Sequence, residues 1–197
     1  MKKRVAFLAS GGGSNFQALL QAMAGPEYPA EPVLLFSDKP ASGCVEKARA
    51  AGVPVALLDP GAFPDRESFD RAAADLIRAA RPDLLCLAGY MRILTPAFVA
   101  AFRGRMLNIH PALLPDFGGP GMYGHRVHEA VIRAGVPRSG ATVHWVTEGV
   151  DAGPILDRFE VPVLPGDTAG TLAARVLEAE HRLYPRALRK ACDETGS

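Results

Sequence analysis

The segment Asn108-Ile109-His110-Pro111 sets a carboxamide and an imidazole on alternate residues. On a strand, alternation turns Asn108 and His110 to one face and Ile109 to the other. Two such groups can hydrogen-bond a carbonyl oxygen that becomes an oxyanion, stabilising charge that develops only in the transition state. A core histidine paired with a nearby carbonyl is the plain alternative. The Pro- and Gly-rich stretch 111–124 beside it keeps that face accessible and favours chemistry. Asp151 stands between Gly149 and Gly153, in a turn flexible enough to approach the same strand. Taken alone, it reads as a turn aspartate bonding its own backbone. His144 is either a second imidazole in the pocket or a satisfied strand residue.

A second group of residues suits an anion. Gly11, Gly12, Gly13, Ser14 and Asn15 follow an apolar run and precede a helical pattern, so backbone amides at a helix N-terminus can approach a phosphate. Ser14 and Asn15 add side-chain donors, and Ser14 is a candidate helix cap. Alternatively, the glycines only make a tight turn. The loop lacks the Lys-Ser/Thr pair of a P-loop. It also departs from the dinucleotide pattern, because Phe16 takes the third small-residue position, although Asp38 keeps that reading open. A phosphate on a small substrate fits better.

Metal chemistry has little support. His125 and His128 sit at helical i, i+3 spacing but lack a carboxylate partner pattern, and Cys44, Cys86 and Cys192 form neither a CxxC pair nor a disulfide framework. On spacing alone, Asp65-Arg66-Glu67 and the pair Glu178 and Glu180 read as solvated helix charges.

The elements that must position these residues alternate. Apolar runs at Val5–Ala9, Pro32–Phe36, Val53–Leu57 and Asp83–Ala88 read as strands. Helical spacing marks Ser14–Met23, Cys44–Ala51 and Arg66–Ala80. Strands apolar on both faces require helices on each side, so residues 1–100 predict a doubly wound, Rossmann-like α/β half. In residues 101–197, Met106–His110, Ala141–Val146 and Ile155–Val163 read as strands, with helices at Gly124–Ala134 and Thr168–Ala191. No linker separates the halves, which predicts one domain with one continuous, mostly parallel sheet.

Composition narrows the class. Of 197 residues, 48% are hydrophobic and 22% charged, as expected of a folded globular chain. Lys plus Arg number 22 against 21 Asp plus Glu, for a net charge of +1, so no global cationic field exists to bind nucleic acid. No apolar run reaches the roughly 20 residues of a membrane span, and Met1–Arg4 leads into a strand without a cleavage site. The expected compartment is the cytoplasm.

Read together, SGGGSN at 10–15, AGYMRIL at 88–94, NIHPALLP at 108–115, TVHWVTEGVDAGPIL at 142–156 and AEHRLYP at 179–185 resemble, in order and spacing, the phosphoribosylglycinamide formyltransferase family of purine biosynthesis. The resemblance spans nearly the whole chain. It implies a cytoplasmic transferase using 10-formyltetrahydrofolate as co-substrate, with no metal, acting on glycinamide ribonucleotide as a monomer or homodimer. It further implies that Asn108, His110 and Asp151 are catalytic, and that Gly13, Ser14, Asn15 and Glu180 hold the ribonucleotide. Arg66, Met91, Arg92, Ile93, Leu94 and Asn108 would contact the folate. After LLP, the loop 116–124 is longer and richer in glycine than in many members.

The chemistry implied is direct attack by the neutral glycinamide amine on the formyl carbon. Asn108 and a protonated His110 would stabilise the oxyanion, with Asp151 raising the histidine's pKa and ordering a proton-shuttling water. Formyltetrahydrofolate hydrolases and methionyl-tRNA formyltransferases share the folate motifs. They are expected to carry extra domains beyond this length, and the near-neutral charge gives no support to tRNA binding. A noncatalytic dinucleotide-binding module is the rival from outside enzymes.

Overall fold

The computed structural model describes residues 1–194. Its centre is a seven-stranded sheet in the order β3-β2-β1-β4-β5-β6-β7. The strands are β1 (Lys3–Leu8), β2 (Ala30–Ser37), β3 (Val55–Leu57), β4 (Leu84–Leu87), β5 (Met106–His110), β6 (Arg138–Trp145) and β7 (Ile155–Pro162). β1 to β5 are parallel, whereas β6 and β7 add antiparallel. The helices are α1 (Ser14–Met23), α2 (Gly43–Ala50), α3 (Arg66–Ala79), α4 (Pro96–Ala101), α5 (His125–Ala134) and α6 (Ala169–Glu194).

Alternation sorts the apolar strands into two cores. Val5, Phe7, Leu84, Cys86, Leu107 and Ile109 pack on one face with α1, α2, α5 and α6. Ala6, Leu8, Leu85, Leu87 and Met106 pack on the other with α3 and α4. Both-face burial is the reason these strands read as continuous apolar runs. Tyr184 of α6 pins its helix to the sheet, its hydroxyl directed at the Leu87 carbonyl (3.0 Å) and the Leu107 carbonyl (3.1 Å).

Three local features differ from expectation. α4 has no helical periodicity legible in the sequence, because six residues hold too little pattern. Its sequence signal is Thr95-Pro96: the threonine oxygen accepts from Phe98 N–H at 3.3 Å, and proline suits the first helical turn. β6 starts at Arg138, earlier than its apolar stretch, because the ladder with β7 continues there, setting Arg138 opposite Pro162 and Ser139 opposite Val161. Ser14 does not cap α1. Gly13 holds the cap position at φ 72°, with no side-chain cap bond, and Ser14 becomes the first helical residue. The loop passes so close to α2 that a Cβ on Gly13 would lie 2.7 Å from Cys44 Cα, so the left-handed turn falls there.

Candidate active site

The parallel strands end on a cleft of about 490 Å³. A ligand crevice at this edge is the usual outcome in open α/β sheets. β5 delivers Asn108 and His110 to it from the face opposite Leu107 and Ile109. β6 runs antiparallel beside it, and its register sets His144 against Asn108 and Thr142 against His110. Asp151 arrives from the turn after β6, at φ 53°, a conformation aspartate tolerates better than most residues. That turn is folded tightly on β6: a Cβ on Gly153 would sit 1.8 Å from the Trp145 carbonyl oxygen.

The separated residues form one hydrogen-bonded group. Asp151 Oδ2 lies 3.4 Å from His110 Nδ1 and accepts from Gly119 N–H at 3.1 Å. Its Oδ1 lies 3.5 Å from both His144 Nε2 and Asn108 Nδ2. His110 Nε2 faces the Phe117 carbonyl oxygen at 2.8 Å, and a carbonyl only accepts, so Nε2 carries a proton. The same logic puts a proton on His144 Nδ1, 3.0 Å from the Trp145 carbonyl; its Nε2, 3.2 Å from Asn108 Nδ2 and 3.5 Å from Asp151 Oδ1, accepts from the amide in the neutral ring and donates to the carboxylate in the charged one. Thus His144 is both a pocket residue and a bonded strand residue.

The electrostatics correct one expectation. Burial pulls the His110 imidazole below its ordinary pKa, and the Asp151 charge and the Phe117 carbonyl only partly restore it, while His144 lowers it further. The anticipated net rise does not occur, because desolvation of the ring exceeds the attraction of one carboxylate. Burial alone would lift the Asp151 carboxyl. Bonds and charge from His144, His110 and the Gly119 amide outweigh it and hold Asp151 below the usual range.

The donor loop is clamped from outside. Thr142 Oγ1 donates to the Ala112 carbonyl at 2.7 Å and accepts from Leu114 N–H at 3.0 Å, while the Arg158 guanidinium takes the Leu114 carbonyl. The roles of Phe117, Gly119, Thr142 and Arg158 were missed in the sequence. Backbone partners and a strand threonine carry no local signal of their own.

Asn15, Glu180, Met91, Arg92, Ile93 and Leu94 also line the cleft. Glu180 is no solvated helix charge: it is 8% exposed and accepts from Asn15 Nδ2 at 2.5 Å. Burial, opposed by that bond, pushes its carboxyl up to about 7. Gly13 and Ser14 do not line the cleft, although Gly11, Gly12 and Ser14 are exposed beside Asn15. Arg66 stands outside the wall, with Nη2 donating to the Leu94 carbonyl at 3.2 Å, and Arg92 stacks over Phe69 at 4.7 Å. Asp38 is buried at the end of β2 and takes no part in the cleft. Among the described residues, no group of three or more His, Cys, Asp or Glu side chains is placed to hold a metal. Nor is any helix long and apolar enough to cross a membrane.

A Rossmann-like half continued by two antiparallel strands, with Asn, His and Asp meeting at the strand ends, defines a class, and residues 3–188 match the Formyl transferase family. The chain belongs to that family. Among curated proteins, it is 40% identical over 181 residues to "Phosphoribosylglycinamide formyltransferase" of Escherichia coli (strain K12), covering 92% of this chain and 83% of that one. It is 45% identical over 187 residues to the "Trifunctional purine biosynthetic protein adenosine-3" of Bos taurus, covering 95% of this chain. The chain spans only 18% of that bovine protein's length. The crystal structure of phosphoribosylglycinamide formyltransferase from Brucella melitensis is similar at TM-score 0.91 and 49% identity, covering 98% of this chain and 96% of that one.

Proposed function

We propose that the protein transfers the formyl group of 10-formyltetrahydrofolate to the amine of N1-(5-phosphoribosyl)glycinamide in purine biosynthesis, working as a single cytoplasmic domain, monomeric or homodimeric, without a metal. Its main support is the convergence of Asn108, His110 and Asp151 on one cleft, in a chain of the formyl transferase family. The names of the Escherichia coli and Brucella relatives favour this acceptor.

The two substrates would occupy opposite parts of the cleft. The Met91–Leu94 segment with Leu87, Val99 and Val146 makes an apolar slot suited to the flat folate ring, with Arg66 and Arg92 at its margin. Asn15 and Glu180 make a polar part of the wall suited to the phosphoribosyl group, with the Gly13-Ser14 turn beside them. Holding both in one cleft lowers the entropic barrier, so direct transfer requires no covalent enzyme intermediate.

The neutral amine attacks the formyl carbon, forming a C–N bond while the carbonyl electrons move to oxygen. Asn108 Nδ2 and the His110 imidazole stabilise that oxyanion. Asp151 holds the water that carries the amine's proton to N10 of the folate, and it pairs with His110 Nδ1, 3.4 Å away, when that nitrogen is protonated. The C–N10 bond then breaks, releasing tetrahydrofolate and the formylated ribotide. In the free cleft the neutral His110 donates its one N–H, at Nε2, to the Phe117 carbonyl, so it serves the oxyanion by exchanging that bond, and a proton added at Nδ1 would lie against Asp151.

The decisive experiment mixes pure protein with 10-formyltetrahydrofolate, with and without glycinamide ribonucleotide, and follows tetrahydrofolate release. Release that requires the ribonucleotide and yields its formyl derivative is expected. Equal release without it would make the protein a hydrolase, and no release would refute formyl transfer.

A further inference from the structure

The Met91–Leu94 segment makes one wall of the apolar slot, yet packing holds little of it. Met91 is 58% exposed and Ile93 56%, whereas Tyr90 and Leu94 rest, partly buried, against the core on the α3 side. The backbone is just as free in the middle of the segment. Among the described residues, the N–H groups of Arg92, Ile93 and Leu94 have no hydrogen-bond partner. Three consecutive unpaired donors in residues that line a cleft suit the acceptor atoms of a flat heterocycle. They can serve one only if the chain that carries them keeps a fixed course.

Two side chains from distant parts of the sequence hold the ends of this segment. Ser10, just beyond the end of β1, donates its own N–H to the Gly89 carbonyl at 3.1 Å and accepts from Met91 N–H through Oγ at 3.2 Å. It therefore grips the chain on both sides of Tyr90. Asp70 of α3 accepts from Thr95 N–H through Oδ2 at 2.7 Å, where the segment turns into α4. Ser10 is 9% exposed and Asp70 2%, so both bonds are made away from bulk water, where losing the acceptor leaves an amide unsatisfied. Between them, the contact from Arg66 Nη2 to the Leu94 carbonyl comes from an exposed side chain. Neither Ser10 nor Asp70 lines the cleft.

We propose that Ser10 and Asp70 are positioning residues for the formyl donor, each accepting a backbone N–H at one end of the Met91–Thr95 segment and so fixing the wall of the donor slot. This assignment rests on the proposed function, in which a folate occupies that slot. Ser10 also directly precedes the glycine turn, so the donor wall is anchored to the same strand end from which the acceptor side begins.

Wild type, Ser10→Ala, Ser10→Thr, Asp70→Ala and Asp70→Asn would be compared by steady-state kinetics, by anaerobic calorimetry with tetrahydrofolate, and by amide hydrogen exchange. Ser10→Ala should raise the donor KM and the tetrahydrofolate Kd together by about fivefold, as loss of one hydrogen bond does, with kcat and ribonucleotide KM little changed. Its Met91 amide should exchange faster while the β1 amides stay protected, and Asp70→Ala should do the same to the Thr95 amide. Ser10→Thr keeps the hydroxyl and Asp70→Asn keeps an acceptor oxygen, so both should recover most of the affinity. An unchanged tetrahydrofolate Kd in Ser10→Ala, or a ribonucleotide KM that rises in parallel, would overturn the proposal, and this holds even where Asp70→Ala fails to fold. Absence of transfer in a wild type that binds tetrahydrofolate would refute the proposed function alone, because that binding still reports on Ser10 and Asp70. A wild type that does not bind tetrahydrofolate would refute both.

Discussion

Asp151 touches every other polar group of the candidate centre: His110, His144, Asn108 and the Gly119 amide. Its carboxylate is the one charge whose removal should register on its neighbours without emptying space. In Asp151→Asn the main influence raising the His110 pKa is gone, so an imidazole NMR titration should show a still lower value. An unchanged or higher value would refute the coupling. Asn108→Ala deletes a proposed oxyanion donor and should lower kcat about a hundredfold, with the fold retained in circular dichroism. Near-normal turnover would remove Asn108 from the machinery. The Asn108-His110 pair was legible in the sequence because alternation on a strand is local. His144 remained open between two readings, since only the β5–β6 register decides what it faces.

At the scale of elements, precision depends on a few close approaches. The turn carrying Asp151 lies against the end of β6 only because Gly153 has no side chain. Gly153→Ala should therefore displace the turn, costing about 1–3 kcal/mol in urea denaturation and reducing turnover with it. A variant with wild-type stability and rate would show that the contact is not limiting. Tyr184 tests the other support, the seating of α6 on β4 and β5. Tyr184→Phe keeps the ring and removes the bond to the Leu87 and Leu107 carbonyls, and should lower the unfolding free energy by about 1 kcal/mol. Most elements were legible because helices and strands write their periodicity into consecutive residues. α4 and the first residues of β6 were not, the one for its brevity and the other because its partners lie on β7.

Across the whole molecule, Glu180 links the site to stability. Its carboxyl is raised from an ordinary 4.5 to about 7, so between those values the folded state binds more protons than the unfolded state. The stability contributed by the protonated carboxyl is fully present below about 4.5 and is lost as the pH rises through about 7. Denaturation midpoints of Glu180→Gln should decline less than wild type over that interval. The buried imidazoles of His110 and His128, both lowered, act in the opposite direction, making the molecule less stable as acid charges them. Parallel slopes for the two proteins would mean that Glu180 ionises as it does in the unfolded chain.

By itself, the amino-acid sequence determined the alternation of helices and strands, the both-face burial that demands a covered sheet, and the motifs that resemble a formyltransferase. All of these are patterns among neighbours along the chain. Only the tertiary structure decided that Glu180 lies buried against Asn15, that Gly13 takes the cap position, and that Phe117 and Gly119 hold the imidazole and the acid. It also decided that His110 is pulled below its ordinary pKa. Each outcome depends on distances through space and on how much water is removed from a group, and neither quantity is carried by the order of residues.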